Sequence, residues 1–338
     1  MRPKKKLSIL KRIKNSRFAV DLYYAFIDRA FRREHAAVVA GKLAHIGSGA
    51  TLEAQRFLLR RNTHRLEKGL IMRPPKPVFA LDYIGETVAA YERVATADAC
   101  EAARVEEFAW FTSVLGRYFA VVGEAPQVAG FRDRFKRAGA NPVAGEGRSV
   151  PYAASTRPDN AVAYGDFLRL CQRRRSVRWF QDRPVPRDLI DRAVDAARLA
   201  PSACNRQPFQ FVVETRPVEA AKIGAIPMGT QGFSDNFPAI AVVVGDLSAY
   251  FDERDRHLIY IDGALAAMQF MLACETLGLS TCPINWPDIE DREKRMDAAL
   301  GLRAHERPVM LIAIGYADPD GGVPFSGKRS VEHLRRYL

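Results

Sequence analysis

The chain has 338 residues, of which 48% are hydrophobic and 27% charged. That is enough apolar material for a sizeable core, and it excludes a disordered or fibrous chain. Its net charge of +12 is uneven: residues 1–165 hold 28 Lys/Arg against 16 Asp/Glu, whereas residues 166–338 hold 23 of each. Two modules with different partners are expected from such a split. The five cysteines form no CxxC pair and their number is odd, and the six histidines show no HxH or HxxxH spacing. Neither a disulfide framework nor a metal centre is expected, and a reducing, cytoplasmic setting fits best. No segment reaches the roughly 18–20 apolar residues of a membrane span. Asp21 and Asp28 interrupt what would have to be the apolar core of a signal peptide.

In chain order, residues 1–17 read as a basic arm with eight Lys/Arg and no acid. From Phe18 to about Leu43, Leu22, Tyr23, Phe26, Ile27 and Phe31 recur at helical spacing. Gly47 and Gly49 break that pattern, and Thr51 is placed to cap a second helix through Phe57, Leu58 and Leu59. Pro74, Pro75 and Pro77 mark an irregular link. Helical stretches follow near Tyr83–Val94 and Glu101–Val122, with no strand-like alternation before residue 150. Residues 138–158, rich in Gly, Pro, Ala and Ser, read as a linker or wrapping loop. The second half changes character. Helices are predicted over Asn160–Gln172, Arg187–Ala200 and Leu258–Leu277, the last ended by Gly278. Strands are predicted over Phe209–Glu214, Ala239–Gly245 and Val309–Tyr316. Domain boundaries are expected at residues 1–160, basic and mostly helical, and 161–338, α+β.

Two segments carry chemistry. Arg173-Arg174-Arg175-Ser176-Val177-Arg178-Trp179-Phe180 places four guanidinium groups and a hydroxyl at a helix-to-strand junction. Forked guanidiniums and a hydroxyl donor suit a phosphate, although such a run taken alone is more often a solvated turn. About 25 residues later, Ala200-Pro201-Ser202-Ala203-Cys204-Asn205-Arg206-Gln207-Pro208-Phe209 sets small, hydroxyl and amide groups in a loop before a strand. Those groups can hydrogen-bond the edge of a flat heteroaromatic ring, or serve merely as turn and cap residues.

Together, in this order and spacing, the two segments resemble the flavin-binding signature of the nitroreductase family. Further matching pieces are Asn236-Phe237-Pro238, Asp262-Gly263, the run Gly278–Asn285 and Gly327-Lys328-Arg329. The resemblance spans about 175 residues. It implies a nitroreductase-like α+β sandwich with a mainly antiparallel sheet flanked by helices. It also implies a homodimer with FMN at the interface, and two-electron transfer from NADH or NADPH to a small organic acceptor in a ping-pong cycle. On matching positions, Arg174, Arg175 and Ser176 would hold the FMN phosphate and ribityl chain, with Lys328 or Arg329 reaching the same phosphate. Arg178 would lie near the pyrimidine edge, where charge builds on reduction. Pro201, Ser202, Ala203 and Asn205, donated by the partner subunit, would line the ring with Gln207 close by. Pro283, Ile284 and Asn285 would pass over its other face. The flavin carries the chemistry, so no protein nucleophile or base is nominated. One departure stands out: the second positive group that some members place near the flavin has no lysine to match within Gly229–Asn236.

Other signals are weaker. Cys204 and Cys282 lie within the flavin motifs but read as small packing residues. Gly47-Ser48-Gly49 lacks a preceding strand and reads as a turn, not a dinucleotide fingerprint. His64-Arg65-Leu66-Glu67-Lys68-Gly69 is similar to a stretch of N-terminally extended nitroreductase-like proteins, some encoded among polysaccharide-biosynthesis functions. Gly69 as a helix cap is an equal reading. The basic arm with helix Phe18–Phe31 is placed either as a solvated tail and packing helix, or as a contact through residues 1–34 with the inner face of a membrane. No recognised nucleic-acid motif accompanies the charge. Alternatives to the reductase reading are a flavin-binding scaffold of a surface-polysaccharide pathway, docked at the membrane, and a nitroreductase-fold dehydrogenase, dehalogenase or flavin-consuming enzyme.

Overall fold

The computed structural model describes residues 3–46, 51–98, 105–138 and 149–338. The Gly47-Ser48-Gly49 turn and residues 139–148 of the expected linker lie outside the described residues. The first region is helical: α1 (Pro3–Ile13), α2 (Arg17–Leu22), a π-helical turn (Tyr23–Ile27), α3 (Arg32–His45), α4 (Leu52–Leu70), α5 (Ile84–Asp98), α6 (Val105–Val121) and α7 (Pro126–Arg137). The second contains α8 (Tyr164–Arg173), α9 (Arg187–Ala197), β1 (Phe209–Glu214), α10 (Pro217–Gly224), β2 (Ala239–Asp246) and α11 (Leu258–Thr276). It closes with β3 (Ser280–Asn285), α12 (Glu290–Leu300), β4 (Glu306–Gly315) and α13 (Val331–Leu334).

The strands form one antiparallel sheet in the order β1-β2-β4-β3. Side chains alternate across a strand, and the central strands use both faces. Ile240, Val242, Val244, Leu311 and Ala313 enter one core, with Phe237 and Met296. Ala239, Ala241, Val243, Ile312 and Ile314 enter the other, with Phe270 and Cys274 of α11. Burial on both faces explains the unbroken apolar run at β2 in an antiparallel sheet. Pro308 cannot donate to the ladder, and the register shifts there, between Val243 and Val244 on the facing strand. Gly245 brings β2 onto α11: a Cβ there would sit 2.7 Å from Cβ of Ile259.

A separate core binds the first region, built from Leu59 and Leu66 of α4, Val88 and Tyr91 of α5, Phe111, Leu115 and Tyr118 of α6, and Phe135 of α7. A smaller cluster of Ala37, Phe57, Leu247, Ala249, Tyr250 and Ile259 joins the two regions. At that seam Gly41 of α3 lies so close to Leu247 that a Cβ would meet its backbone at 2.7 Å. Polar links add to it. Glu293 is buried and accepts from Trp286 Nε1 and, at 2.9 Å, from Arg33 of α3. The buried guanidinium of Arg307 lies 3.5 Å from the same carboxylate and 2.9 Å from Asp288.

Several expectations change. The basic arm is helical as α1, and the helix read from Phe18 to Leu43 is broken by the π-turn and an extended Asp28. Thr51 caps α4 as read, its hydroxyl accepting from the Ala54 amide at 3.1 Å. Gly69 is not the cap, because α4 runs on to Leu70; its missing Cβ makes room for the Phe79 ring. Helices α7, α10, α12 and α13 and strand β3 are not among the expected elements. Met296 is the only residue of α12 in the core, and β3 is a short edge strand containing a proline, so neither shows the usual period. Against the expectation that no segment suits a membrane span, α11 is long and apolar enough by length and composition. Here one face of it packs on the sheet, and it carries the buried carboxylate of Asp262.

Glu293→Ala strips Arg307 of its buried counter-charge and leaves Arg33 with Asp297 alone, at 3.2 Å. It is expected to lower stability by about 3 kcal/mol in urea unfolding, whereas substitution of an exposed acid such as Asp166 leaves the midpoint within about 0.5 kcal/mol.

Candidate functional site

The arginine run leaves α8 and lies along β3. Ser176 bridges Thr281 in parallel register, and the Val177 amide donates to the Thr281 carbonyl at 3.1 Å. This fixes Ser176 two residues from Pro283, so the run and the Pro283-Ile284-Asn285 segment share one edge of the sheet. Asn236 holds the far end of the run. Its Oδ1 accepts from the Phe180 amide at 2.8 Å, and its Nδ2 donates to the Arg178 carbonyl at 2.9 Å. Asn236 is a positioning residue whose role the sequence marked only as part of Asn-Phe-Pro before β2.

The electrostatics of this edge are one-sided. Arg173 reaches the buried carboxylate of Glu275 at 3.4 Å, and burial raises the pKa of that carboxyl. Arg174, Arg175 and Arg178 are half-buried, and among the described residues none has a carboxylate within 4.0 Å. Arg175 and Arg178 donate only to the carbonyls of Arg174 and Ser176, both at 3.2 Å, and Arg178 lies 5.7 Å from the Phe233 ring centre. Beside them the buried hydroxyl of Thr281 has no hydrogen-bond partner among the described residues. Uncompensated, partly desolvated guanidiniums on a rigid edge fit a phosphate-bearing cofactor such as FMN.

The Pro201–Gln207 loop is equally ordered. Cys204, Asn205 and Gln207 all have positive φ, between 52° and 53°, a conformation that costs non-glycine residues and is held by surrounding contacts. The Ser202 hydroxyl accepts from the Gln207 amide at 3.0 Å, and Gln207 Nε2 donates to Asn205 Oδ1 at 3.2 Å. Below the loop, Asp262 accepts from the Ala203 amide at 3.0 Å and from the Tyr250 hydroxyl at 3.4 Å. Burial raises the pKa of Asp262, and burial with the nearby Asp262 pushes the Tyr250 phenol well above its ordinary value. Asp262 is one of two acids, with Glu275, in the apolar run Leu258–Leu277, and that is the sequence signal for this support.

These two groups of residues do not meet within one chain. The loop precedes β1 and the arginine run flanks β3, at opposite edges of the sheet. Three strand spacings separate those edges, about 14 Å. The chain after Tyr316 first follows the run, the Asp318 amide donating to the Trp179 carbonyl at 3.0 Å. It then leaves as an exposed tail from residue 322 to 338. Lys328 and Arg329 lie in that tail, and Arg329 donates to the His333 carbonyl at 2.7 Å rather than joining the run.

Helix α4 crosses the 203–205 turn, which the sequence did not reveal. It brings Arg61 over the Phe251 ring, 5.5 Å from its centre, next to the buried Arg206, which lies 4.9 Å from the Tyr250 ring centre. Burial and the neighbouring positive charges of Arg206 and Arg65 lower the pKa of Arg61. In the His64–Gly69 stretch, Glu67 accepts from Trp110 Nε1 at 2.9 Å, and Arg65 lies 3.5 Å from the Tyr83 ring centre. The segment Gly229–Ser234 lines an open hollow whose cation is Arg292 of α12, bonded at 2.7 Å to the Ile226 carbonyl. Among the cysteines, burial pushes Cys274 up to about 12, and burial raises Cys282.

Comparison with known proteins places the second region in a family. The profile of the Nitroreductase family matches residues 171–231 and 225–316. A protein of Methanothermobacter thermautotrophicus named "Putative NADH dehydrogenase/NAD(P)H nitroreductase" is 30% identical over 165 residues, covering 48% of this chain and 84% of its own length. Iodotyrosine deiodinase 1 of Homo sapiens is 23% identical over 218 residues, covering 55% of this chain and 73% of its own. Among solved structures, a protein of Parabacteroides distasonis bearing the same name as the archaeal relative is 25% identical. It covers 50% of this chain and 96% of its own, at a TM-score of 0.44. The family profile and the archaeal relative, 30% identical over 84% of its own length, lead to one conclusion: the chain belongs to the nitroreductase family.

Proposed function

We propose that this protein is an FMN-dependent oxidoreductase that passes two electrons from NADH or NADPH to a small organic acceptor in a ping-pong cycle. The observation that carries this reading is the edge beside β3, where Arg174, Arg175 and Arg178 lie half-buried without a carboxylate partner. FMN supplies the hydride-accepting ring when bound. Arg174, Arg175 and Ser176 bind its phosphate and ribityl chain, and Arg178 faces the edge of the ring where negative charge develops. Pro283, Ile284 and Asn285 flank one face of the ring. Pro201, Ser202, Ala203, Asn205 and Gln207 line the site from a second copy, because the sheet order keeps that loop away from the run of its own chain. Exposed apolar side chains support a homodimer: Tyr164 and Phe167 on α8, Ile261 and Leu265 on α11, and Phe325 and Leu334 in the tail. Lys328 and Arg329, carried by that tail, reach the phosphate in the assembled dimer. The likeness to iodotyrosine deiodinase makes reductive dehalogenation the second reading; halide release from a haloaromatic acceptor distinguishes it from nitro or quinone reduction.

Flavin uptake, an Arg175→Ala variant and subunit mixing test the reading, and thiol labelling tests the burial of two cysteines. Purified protein is expected to take up FMN and to bleach its visible bands on anaerobic addition of NADH or NADPH. Arg175→Ala should weaken FMN binding by about tenfold or more, the worth of one charge-assisted hydrogen bond; a colourless protein that takes up no FMN sinks the proposal. Subunit mixing tests the shared site. Arg175→Ala and Asn205→Ala chains, each defective alone, are expected to recover about a quarter of the intact sites on random co-assembly, and no recovery would place both segments at one chain's own site. Finally, native protein treated with iodoacetamide near neutral pH should leave Cys274 and Cys282 unmodified, since their thiolates form only in more alkaline solution. Both should react once the protein is unfolded.

A further inference from the structure

Residues 3–31 form a small structure of their own. Tyr23 is its buried centre, packing edge-on against Tyr24 at 5.1 Å between ring centres, and Tyr24 meets Phe31 at 4.7 Å. Lys6 closes it through an ion pair of 2.8 Å to Asp28. Little else is buried. Ile9 and Ile13 of α1 face Ala19, Leu22 and Phe26 across an open hollow of about 440 Å³ lined by apolar and aromatic side chains. Phe18 and Phe26 are 73% and 72% exposed, and Leu7 and Ile27 more than half exposed. Monomeric proteins rarely leave so many large apolar groups together in water.

The charge around this face decides what covers it. Lys11, Arg12, Lys14, Arg17 and Arg29 are exposed, and among the described residues none has a carboxylate within 4.0 Å. Residues 1–20 contain eight Lys/Arg and no Asp or Glu. A second copy docked on the same face would set these cations against their own images. A layer of anionic headgroups neutralises them, while the acyl region beneath accepts Phe18, Phe26 and Ile27. We propose that α1, α2 and the π-helical turn form a docking face for an anionic phospholipid bilayer. The face is coupled to the rest of the molecule, since α3 follows directly and is tied by Arg33 to Glu293 and by Lys42 to Glu253, at 2.9 and 2.8 Å. Docking therefore holds the nitroreductase fold at the membrane surface, whatever acceptor it serves.

The test is sedimentation of the full chain with vesicles of phosphatidylcholine alone and of phosphatidylcholine with phosphatidylglycerol. Binding to the anionic vesicles is expected to be at least tenfold tighter and to weaken with added salt. Phe18→Glu with Phe26→Glu should reduce it about tenfold or more, as should Lys11→Glu with Lys14→Glu, both with an unchanged circular dichroism spectrum. Equal binding to both vesicle types, or none, overturns the proposal. So does undiminished binding by both double variants, or a fall in oligomeric mass in Phe18→Glu/Phe26→Glu that shows a second copy covering the face. None of these outcomes depends on the redox reaction.

Discussion

The order of the sheet governs the chemistry available to this chain. With β2 and β4 in the centre, both loaded on two faces, the edges are β1 and β3. Each edge carries one of the two polar segments of the candidate site. The arginine run and Pro283–Asn285 stand at β3, and the strained Pro201–Gln207 loop stands before β1. Burial of the central strands makes that separation rigid. The two segments therefore stand apart within one chain, and exposed apolar side chains lie on α8, α11 and the tail.

Each segment is held by a polar group that does no chemistry. Asn236 spends its amide on backbone: Oδ1 accepts from the Phe180 amide, and Nδ2 donates to the carbonyls of Arg178 and Phe233. Asp262, buried in the first turns of α11, fixes the Ala203 amide and the Tyr250 hydroxyl, and so supports a loop with three residues in the left-handed region. Both cases place a satisfied buried hydrogen-bonding group behind a loop that must present its own groups outward.

The helical first region is attached by mixed means. An apolar cluster and the close approach of Gly41 to Leu247 join α3 to the turn after β2, and the Arg33–Glu293–Arg307 group ties it to α12 and β4. Through α4 the region reaches the 203–205 turn and adds Arg61 to its surroundings. Its far end, α1 with α2, turns apolar and cationic groups to solvent. One segment thus links the neighbourhood of the site to an outward face of distinct chemistry.

Local sequence determined the groups and their elements. The guanidinium run, the Pro-Ser-Ala-Cys-Asn-Arg-Gln loop, the buried strands β2 and β4 and the long helix α11 are written in contiguous residues, because phosphate-binding charge, loop chemistry and apolar period are local properties. The sequence likewise separated a basic helical first half from an electrically balanced second half. It did not show β3, α7 or α12, whose proline, edge position or polar surface hides any period. Nor could it show that the arginine run and the Pro201–Gln207 loop stand at opposite edges, that Asn236 and Asp262 brace them, or that α4 lies over the 203–205 turn. Those relations join residues tens to hundreds of positions apart, and they are decided by which strands pair and which faces pack, a choice made by the whole core and not by any stretch of chain.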